Sequence, residues 1–121
     1  MINTAMSLKE FFSSFDIPAY AENSVPDAVT LPYITYPLIE PSWNEQAMTH
    51  CQIWYQQKHL GELLAKTDQV LGAIQEGITL ENDSGYVVLY PAEPNVQTLT
   101  DEDSQRAYIN LIINAYHMPG N

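Results

Sequence analysis

Residues 60–77 constrain the fold more than any other part of the chain. Their apolar side chains recur at the three- and four-residue spacing of one helix face, and their charged side chains take the other face. Gly77 stands where a left-handed residue commonly ends a helix, and Glu62 and Lys66 have the spacing of a favourable ion pair. The apolar stripe needs a covering surface, and the flanking segments alternate as strands do, so we expect a helix lying across a sheet. The stripe consists of Leu60, Leu63, Leu64, Thr67, Val70, Leu71 and Ile74.

A second amphipathic helix is predicted near the N-terminus. Ser7 and Glu10 have the S-x-x-E spacing of a capping box, which places the start of this helix at Ser7. The helix should end before Pro18, because the residue preceding a proline is pushed out of the helical region. An aromatic stripe of this kind packs in a core or at a contact between subunits, and we expect Phe11 and Phe12 to contribute to a subunit interface. The apolar stripe is formed by Leu8, Phe11, Phe12 and Phe15.

Several other segments have the composition or the alternation of β-strands. Residues 82–85 contain turn formers and should join two of these strands as a β-hairpin. Pro91 and Pro94 should stop the second hairpin strand, which leaves a polar loop up to residue 104. Residues 19–32 have the makeup of a loop or a short edge piece. The predicted strands are 33–36, 46–57, 78–80, 86–90 and 106–116.

The order of these elements predicts the fold class. A chain of 121 residues is long enough for one domain and too short for two ordinary ones, so we expect a single small domain over residues 1–121. Strands adjacent in sequence prefer antiparallel pairing, and both helices are amphipathic. The prediction is an α+β fold, with a mostly antiparallel sheet and two amphipathic helices packed on one face. The other face would carry Tyr108, Ile112 and Tyr116, which makes it a candidate subunit contact.

The charge of the chain limits its partners. Fifteen acidic residues stand against four Lys and Arg residues, which gives a formal net charge of −11. Nucleic-acid binding depends mainly on clustered basic side chains, so the charge nearly excludes binding to the phosphate backbone. An acidic surface can still face DNA without holding it, although the same charge also serves solubility. No apolar run reaches the ~20 residues of a membrane helix, no signal-peptide pattern opens the chain, and the single cysteine fits a reducing compartment. We therefore expect a soluble protein made in the cytoplasm, without a membrane partner.

The sequence predicts no catalytic residue, no metal site and no cofactor. His50 and Cys51 are neighbours on a predicted strand, so they point to opposite faces and cannot share a metal ion or act as a nucleophile and its base. The histidines at 59 and 117 add no ligand spacing. Phosphate-cradling glycine motifs are missing. Trp43, Trp54 and the eight tyrosines instead favour contact surfaces, although several must belong to the core.

An acidic triplet, Asp101, Glu102 and Asp103, lies between the last two predicted strands. It has the D-x-D start of a calcium loop but lacks the glycine and the distal glutamate of that motif. A helix start, a solvated loop and a cation site all remain compatible with the triplet. A solvated loop is favoured.

The order of segments resembles that of small tail-terminator proteins, minor structural proteins of long-tailed bacteriophages. The resemblance covers nearly the whole chain and is carried by PYITY at residues 32–36, QIWY at 52–55 with the helix and GI that follow, and the closing strand AYINLIINAY at 107–116. It implies a ring, typically a hexamer, that caps the tail tube, ends its polymerisation and meets the head connector or stopper protein.

The resemblance further implies localisation in the virion, at the junction of head and tail, after assembly in the host cytoplasm. DNA would pass through the hole of the ring without specific binding, and Asp101, Glu102 and Asp103 are our candidates for lining this channel. A ring of identical subunits requires two different faces of each copy to meet. The alternatives are a head-completion or stopper protein, a module that binds a small ligand or peptide, and an enzyme with dispersed acids.

Overall fold

The computed structural model describes residues 1–42 and 45–117, so Trp43 lies outside the described residues. Within these ranges the chain forms two α-helices and one six-stranded sheet. The helices are α1 (Ile2–Phe12) and α2 (Leu60–Ile74). The strands are β1 (Ala19–Ala21), β2 (Tyr33–Tyr36), β3 (Gln46–Gln56), β4 (Ile78–Asn82), β5 (Gly85–Thr100) and β6 (Ser104–His117). Residues 19–32 thus supply a short edge strand, one of the two predicted alternatives.

The sheet has the order β1-β2-β3-β6-β5-β4. Only the β1–β2 pair is parallel, and the other neighbours run antiparallel. The ladder between β3 and β6 extends from Gln46 opposite Asn114 to Gln56 opposite Ser104 and forms the centre of the sheet. This arrangement confirms the predicted α+β fold, its mostly antiparallel sheet and the hairpin of β4 and β5.

The core lies between the helices and one face of the sheet. Because side chains alternate across a strand, each central strand gives every second residue to this core. Five apolar residues of β6 are buried there, and β3 adds three more from its odd-numbered positions. Both helices close the layer from the other side. The buried apolar residues of these two strands are Cys51, Ile53, Tyr55, Ala107, Ile109, Leu111, Ile113 and Ala115.

Helix α2 confirms its predicted end and corrects its predicted ion pair. Gly77 has φ +84° and its N–H donates to the Ile74 carbonyl at 2.7 Å, so it ends the helix with left-handed geometry. Lys66 Nζ donates to the Phe15 carbonyl at 2.7 Å and to Gln69 Oε1 at 3.0 Å instead of pairing with Glu62. The expected Glu62–Lys66 pair is wrong because the lysine docks the segment after α1 onto α2.

The apolar stripe of α2 is narrower than predicted. Its buried residues are Leu63, Thr67, Val70 and Ile74, whereas 47% of Leu60 and 46% of Leu64 remain exposed. The sheet covers a narrow strip of the helix surface, and Leu60 and Leu64 lie at the margin of that strip.

Helix α1 begins five residues earlier than predicted. Ser7 lies inside the helix, 4% exposed, and its Oγ accepts a hydrogen bond from Asn82 Nδ2 at 3.1 Å. It therefore caps no helix, and the capping-box prediction is wrong. Residues 2–6 continue the helix toward the N-terminus because Thr4 shares the buried face of Leu8 and Phe11.

The aromatic stripe of α1 belongs to the core. Phe11 is 6% exposed and Phe12 is 2% exposed, and the Phe12 ring stacks on Tyr36 at a centroid distance of 4.8 Å. Since these surfaces are already covered within one copy, Phe11 and Phe12 do not form a subunit interface. Of the two alternatives for this stripe, the structure selects the core.

Strand β5 runs through the predicted polar loop. Pro91 pairs with Leu111, and after an irregularity the pairing resumes at Val96 opposite Ile109 and continues to Thr100. The two prolines do not end the strand because proline is tolerated at bulges and along strand edges. Residues 92–95 absorb the irregularity, where Asn110 Nδ2 donates to the Pro94 carbonyl at 2.8 Å. The predicted loop is thereby reduced to the turn 101–103.

Candidate interaction surface

The face of the sheet opposite the helices carries the candidate site. It consists of the even-numbered residues of β3 and β6 and the side chains beside them on the other strands, and we call it the open face. The even-numbered residues of β6 are half-buried, while their odd-numbered neighbours are buried under the helices. The predicted residues Tyr108, Ile112 and Tyr116 all lie on the open face. No described helix packs against these three residues.

An aromatic cluster occupies the β2 side of the open face. The Trp54 ring stacks on Tyr33 at 6.0 Å, and Arg106 Cζ lies 4.6 Å from the Trp54 centroid in a cation–π contact. The indole N–H donates to Thr35 Oγ1 at 2.9 Å, which fixes the orientation of the ring. Burial raises the pKa of the Tyr33 hydroxyl, so this tyrosine stays neutral well above physiological pH. The cluster therefore presents a rigid, aromatic contact area with a single cation.

A hydrogen-bonded network occupies the centre of the open face. The His50 ring stacks on Tyr108 at 4.6 Å, and His50 Nε2 hydrogen-bonds the Glu22 carboxylate. Gln52 Nε2 donates to the same Glu22 oxygen at 3.3 Å. Glu22 reaches this face from the short helical turn after β1. His50 of β3 thus orients Tyr108, and Glu22 connects the segment after the edge strand β1 to the central strand β3 through hydrogen bonds.

The β4 side of the open face is the most accessible apolar region. Tyr116 stacks on Tyr86 at 4.9 Å and its hydroxyl accepts a hydrogen bond from Asn114 Nδ2 at 3.2 Å. Ile112 stands in register between Met48 and Tyr90, which are 59% and 38% exposed. Apolar side chains that share one sheet face at this exposure form a typical contact area.

The acidic triplet forms the exposed turn between β5 and β6. The Asp101 N–H donates to the Ser104 carbonyl at 2.8 Å, which closes the turn, and all three acidic side chains are exposed. The triplet therefore forms a turn and does not begin a helix. Within residues 1–42 and 45–117, no three potential metal ligands come together, so the triplet is not part of a described metal site. Its assignment to a DNA channel remains a prediction.

Cys51 is isolated from the chemistry that a nucleophile needs. Its side chain is fully buried, and this burial raises the pKa of the thiol to about 12. His50 points to the opposite face of β3, as predicted, where it meets Glu22 and Tyr108. A neutral, buried thiol is a poor nucleophile.

We expect native Cys51 to resist alkylation by iodoacetamide at pH 8 and to react at the rate of a free thiol once the chain is unfolded in urea. The modified fraction, followed by mass spectrometry, should increase along the unfolding transition. Because the folded thiol has the higher pKa, its contribution to stability is complete below pH 9 and is lost as the pH rises from about 9 toward 12. Rapid alkylation of the folded protein would contradict the buried position of this residue.

Sequence reasoning missed the partners that orient these aromatic rings. Glu22 lies in a segment without a readable pattern, so its contact with His50 had no local signal. The Arg106–Trp54 contact follows from the register of β3 and β6, which pairs the two residues directly. Knowledge of that register alone would have been sufficient to predict it.

No protein-family model matches the chain, and no curated protein or solved structure is significantly similar to it. Neither helix of the described residues has the length and apolar character needed to cross a bilayer.

Proposed function

We propose that this chain is a structural joining protein of a bacteriophage tail, which assembles with copies of itself as a ring, caps the tail tube and ends its polymerisation. The observation that carries this proposal is the open face, which extends across the sheet, is rich in aromatic side chains and has no covering element among the described residues. A contact area of this composition is typical of protein interfaces. The order of sequence segments that resembles tail terminators supports the same function.

The charge of the chain supports the proposed position on a DNA path. A net charge of −11 repels phosphate groups, and a repelling wall lets a DNA strand pass without retaining it. The exposed turn with Asp101, Glu102 and Asp103 is our candidate for such a wall. The proposed partners are other copies of the chain, the tail tube protein and the head connector or stopper protein, and the proposed location is the tail end at the head–tail junction.

Electron microscopy of particles assembled without this protein tests the proposed function. We expect tubes of uncontrolled length that fail to join heads, because nothing would stop the addition of tube subunits. Supplying the chain in trans should restore uniform, head-joined tails. Tubes of normal length on headless tails would indicate a head-completion or stopper protein instead, and normal head-joined tails would reject both.

A groove between α1 and β4 supports a second candidate function, a module that binds a small ligand or peptide. Its volume is about 490 Å³, within the range of ligand sites. Polar groups of Ser7, Ser14 and Thr79 line it together with the carboxylates of Glu10 and Glu81. A library screen by thermal shift tests this candidate, with Ser14→Trp as the variant that fills the groove. Hits that stabilise the wild type but not this variant would favour a binding module.

A further inference from the structure

We propose that neighbouring copies of this chain join edge to edge, with residues 96–100 of β5 in one copy pairing with β1 of the next copy. This inference rests on the proposed function, since it names the partner and the contact that build the ring. Four observations carry it: an uncovered strand edge, the absence of charge along that edge, a second free edge on the same row of the sheet, and a groove beside that second edge.

Among residues 1–42 and 45–117, no strand pairs with the outer side of residues 96–100. Strand β4 ends its pairing at Ile78 opposite Leu89, so beyond the irregularity β5 pairs only with β6. The hydrogen bond from the Asp101 N–H to the Ser104 carbonyl shows that the backbone groups of Asp101 face β6. In an antiparallel pair, every second residue of the strand does the same, and the residues between them face the other way. Val96, Thr98 and Thr100 therefore direct their N–H and C=O groups away from β6. Such a row of unpaired backbone groups is a template for another strand.

The edge is neutral in a strongly acidic chain. Residues 96–100 are Val, Gln, Thr, Leu and Thr, without a charged side chain. The outer edge of β4 contrasts with it, because it carries Glu81 and is followed by Asp83. Two copies of a chain with a net charge of −11 repel one another, and the repulsion is weakest where the approaching surfaces hold no charge. The composition of this edge thus favours a second copy as its occupant.

In the part of the chain that the structure describes, the outer edge of β1 is also unpaired, and it lies on the opposite side of the sheet. The register places Tyr20 beside Thr35, Thr35 beside Gln52, Gln52 beside Tyr108, and Tyr108 beside Gln97. The row therefore begins at the outer edge of β1 and ends at the edge of residues 96–100. The strand directions make β5 antiparallel to β1, so the next copy can add its β1 in the same orientation and extend the sheet with an antiparallel pair.

A groove beside β1 is available for the incoming strand. It has a volume of about 230 Å³ and is lined by the three residues of β1, by Leu38 and by Lys9 of α1. The two edges differ, so the contact is heterologous and generates a ring where the rotation closes.

Disulfide cross-linking of the purified full chain tests this contact. Thr98 shares the helix-covered side of the sheet with Ala19 and Ala21, as their partners Ala107, Ile34 and Tyr36 show. Directly opposed residues of antiparallel strands have Cα atoms about 4.5–5.5 Å apart, which lies within the range that a disulfide spans. We expect oxidised Thr98→Cys/Ala21→Cys or Thr98→Cys/Ala19→Cys to give a ladder of covalent oligomers that stops at the ring. Native Cys51 is buried and does not compete.

The controls separate this contact from other modes of association. Thr98→Cys alone should remain uncross-linked, and Leu80→Cys/Ala21→Cys, which moves one cysteine to the edge of β4 on the same side of the sheet, should give no ladder. A covalent dimer from Thr98→Cys alone would show two β5 edges meeting around a two-fold axis and would overturn the inference, as would the absence of a ladder from both paired variants. A ladder combined with normal tails in the absence of the chain would retain the contact and reject the tail function.

A proline substitution gives a second readout without cysteines. Proline is tolerated where a strand N–H faces outward, so Thr98→Pro should leave the monomer folded and block the incoming strand. We expect self-association, followed by light scattering, to weaken by roughly tenfold or more, as the loss of an edge hydrogen bond and added steric hindrance imply. Thr98→Ala is the matched control and should associate as the wild type does. Unchanged association of folded Thr98→Pro would overturn the proposed pairing.

Discussion

A Phe12→Ala variant is expected to lose about 3–5 kcal/mol of unfolding free energy. The Phe12 ring is 2% exposed, stacks on Tyr36 and meets the edge of Phe11 at 5.0 Å, so its removal leaves a cavity where α1 joins the sheet. Since small domains are stable by roughly 5–15 kcal/mol, this loss is a large share of the total. Urea denaturation followed by circular dichroism measures it.

Tyr108→Ala is the control for this prediction. Its ring is half-buried on the open face and stacks on His50, so we expect a loss of only about 1 kcal/mol. The difference between the two stability losses distinguishes an aromatic residue of the core from one on a surface that a partner can contact. A loss below about 1 kcal/mol for Phe12→Ala would contradict its core position.

Gly85→Ala is expected to lose roughly 3 kcal/mol or more, or to prevent folding. Gly85 has φ +152°, a conformation that is essentially restricted to glycine, and a Cβ atom there would lie 1.9 Å from the Tyr116 carbonyl oxygen. This oxygen belongs to the backbone of β6 and cannot move without disturbing the ladder. The clash adds to the conformational strain at the start of β5. Thermal unfolding measured by calorimetry tests this expectation.

Gly72→Ala is the matched control for the glycine prediction. Gly72 lies in α2, and a Cβ atom there meets nothing within 4 Å. Alanine in an exposed helix interior is better than glycine by roughly 0.5–1 kcal/mol, so this variant should gain stability. Equal effects of the two substitutions would show that the conformation of Gly85 is not required by the fold.

The periodic parts of the sequence predicted the fold well. The alternation of apolar residues in β3 and β6 identified both strands and the side of each that is buried, because a strand with one covered face must alternate. The stripe of α2 and the turn after β4 were equally readable, since each has a local physical cause. These patterns were sufficient for the fold class and for placing Tyr108, Ile112 and Tyr116 on the open face.

The wrong predictions depended on contacts that are distant in sequence. Ser7 has the spacing of a helix cap, but it lies inside α1, where its hydroxyl accepts a hydrogen bond from Asn82 of β4. Lys66 binds the carbonyl of Phe15, which no local pattern indicates. The prolines at 91 and 94 suggested a strand end, yet pairing with β6 carries β5 past them. In each case tertiary contacts outweighed the local signal.

The candidate surface was predicted in part. Its location followed from the alternation of β6, but Phe11 and Phe12 were assigned to a subunit interface on periodicity alone, which cannot distinguish a core from an interface. The free edge at residues 96–100 was hidden because the segment was predicted as a loop. Its neutral, β-branched composition becomes meaningful only when the register shows that β4 ends before reaching it.

The mass of the assembled protein shows whether the chain forms a ring. Native mass spectrometry of the full chain, alone and bound to the ends of tail tubes, should detect a closed ring of fixed subunit number in at least the tube-bound state. Thr98→Pro, which blocks the outer edge of β5 at residues 96–100, should destabilise that ring, while Thr98→Ala should not. A chain that remains monomeric both alone and at tube ends would contradict the account.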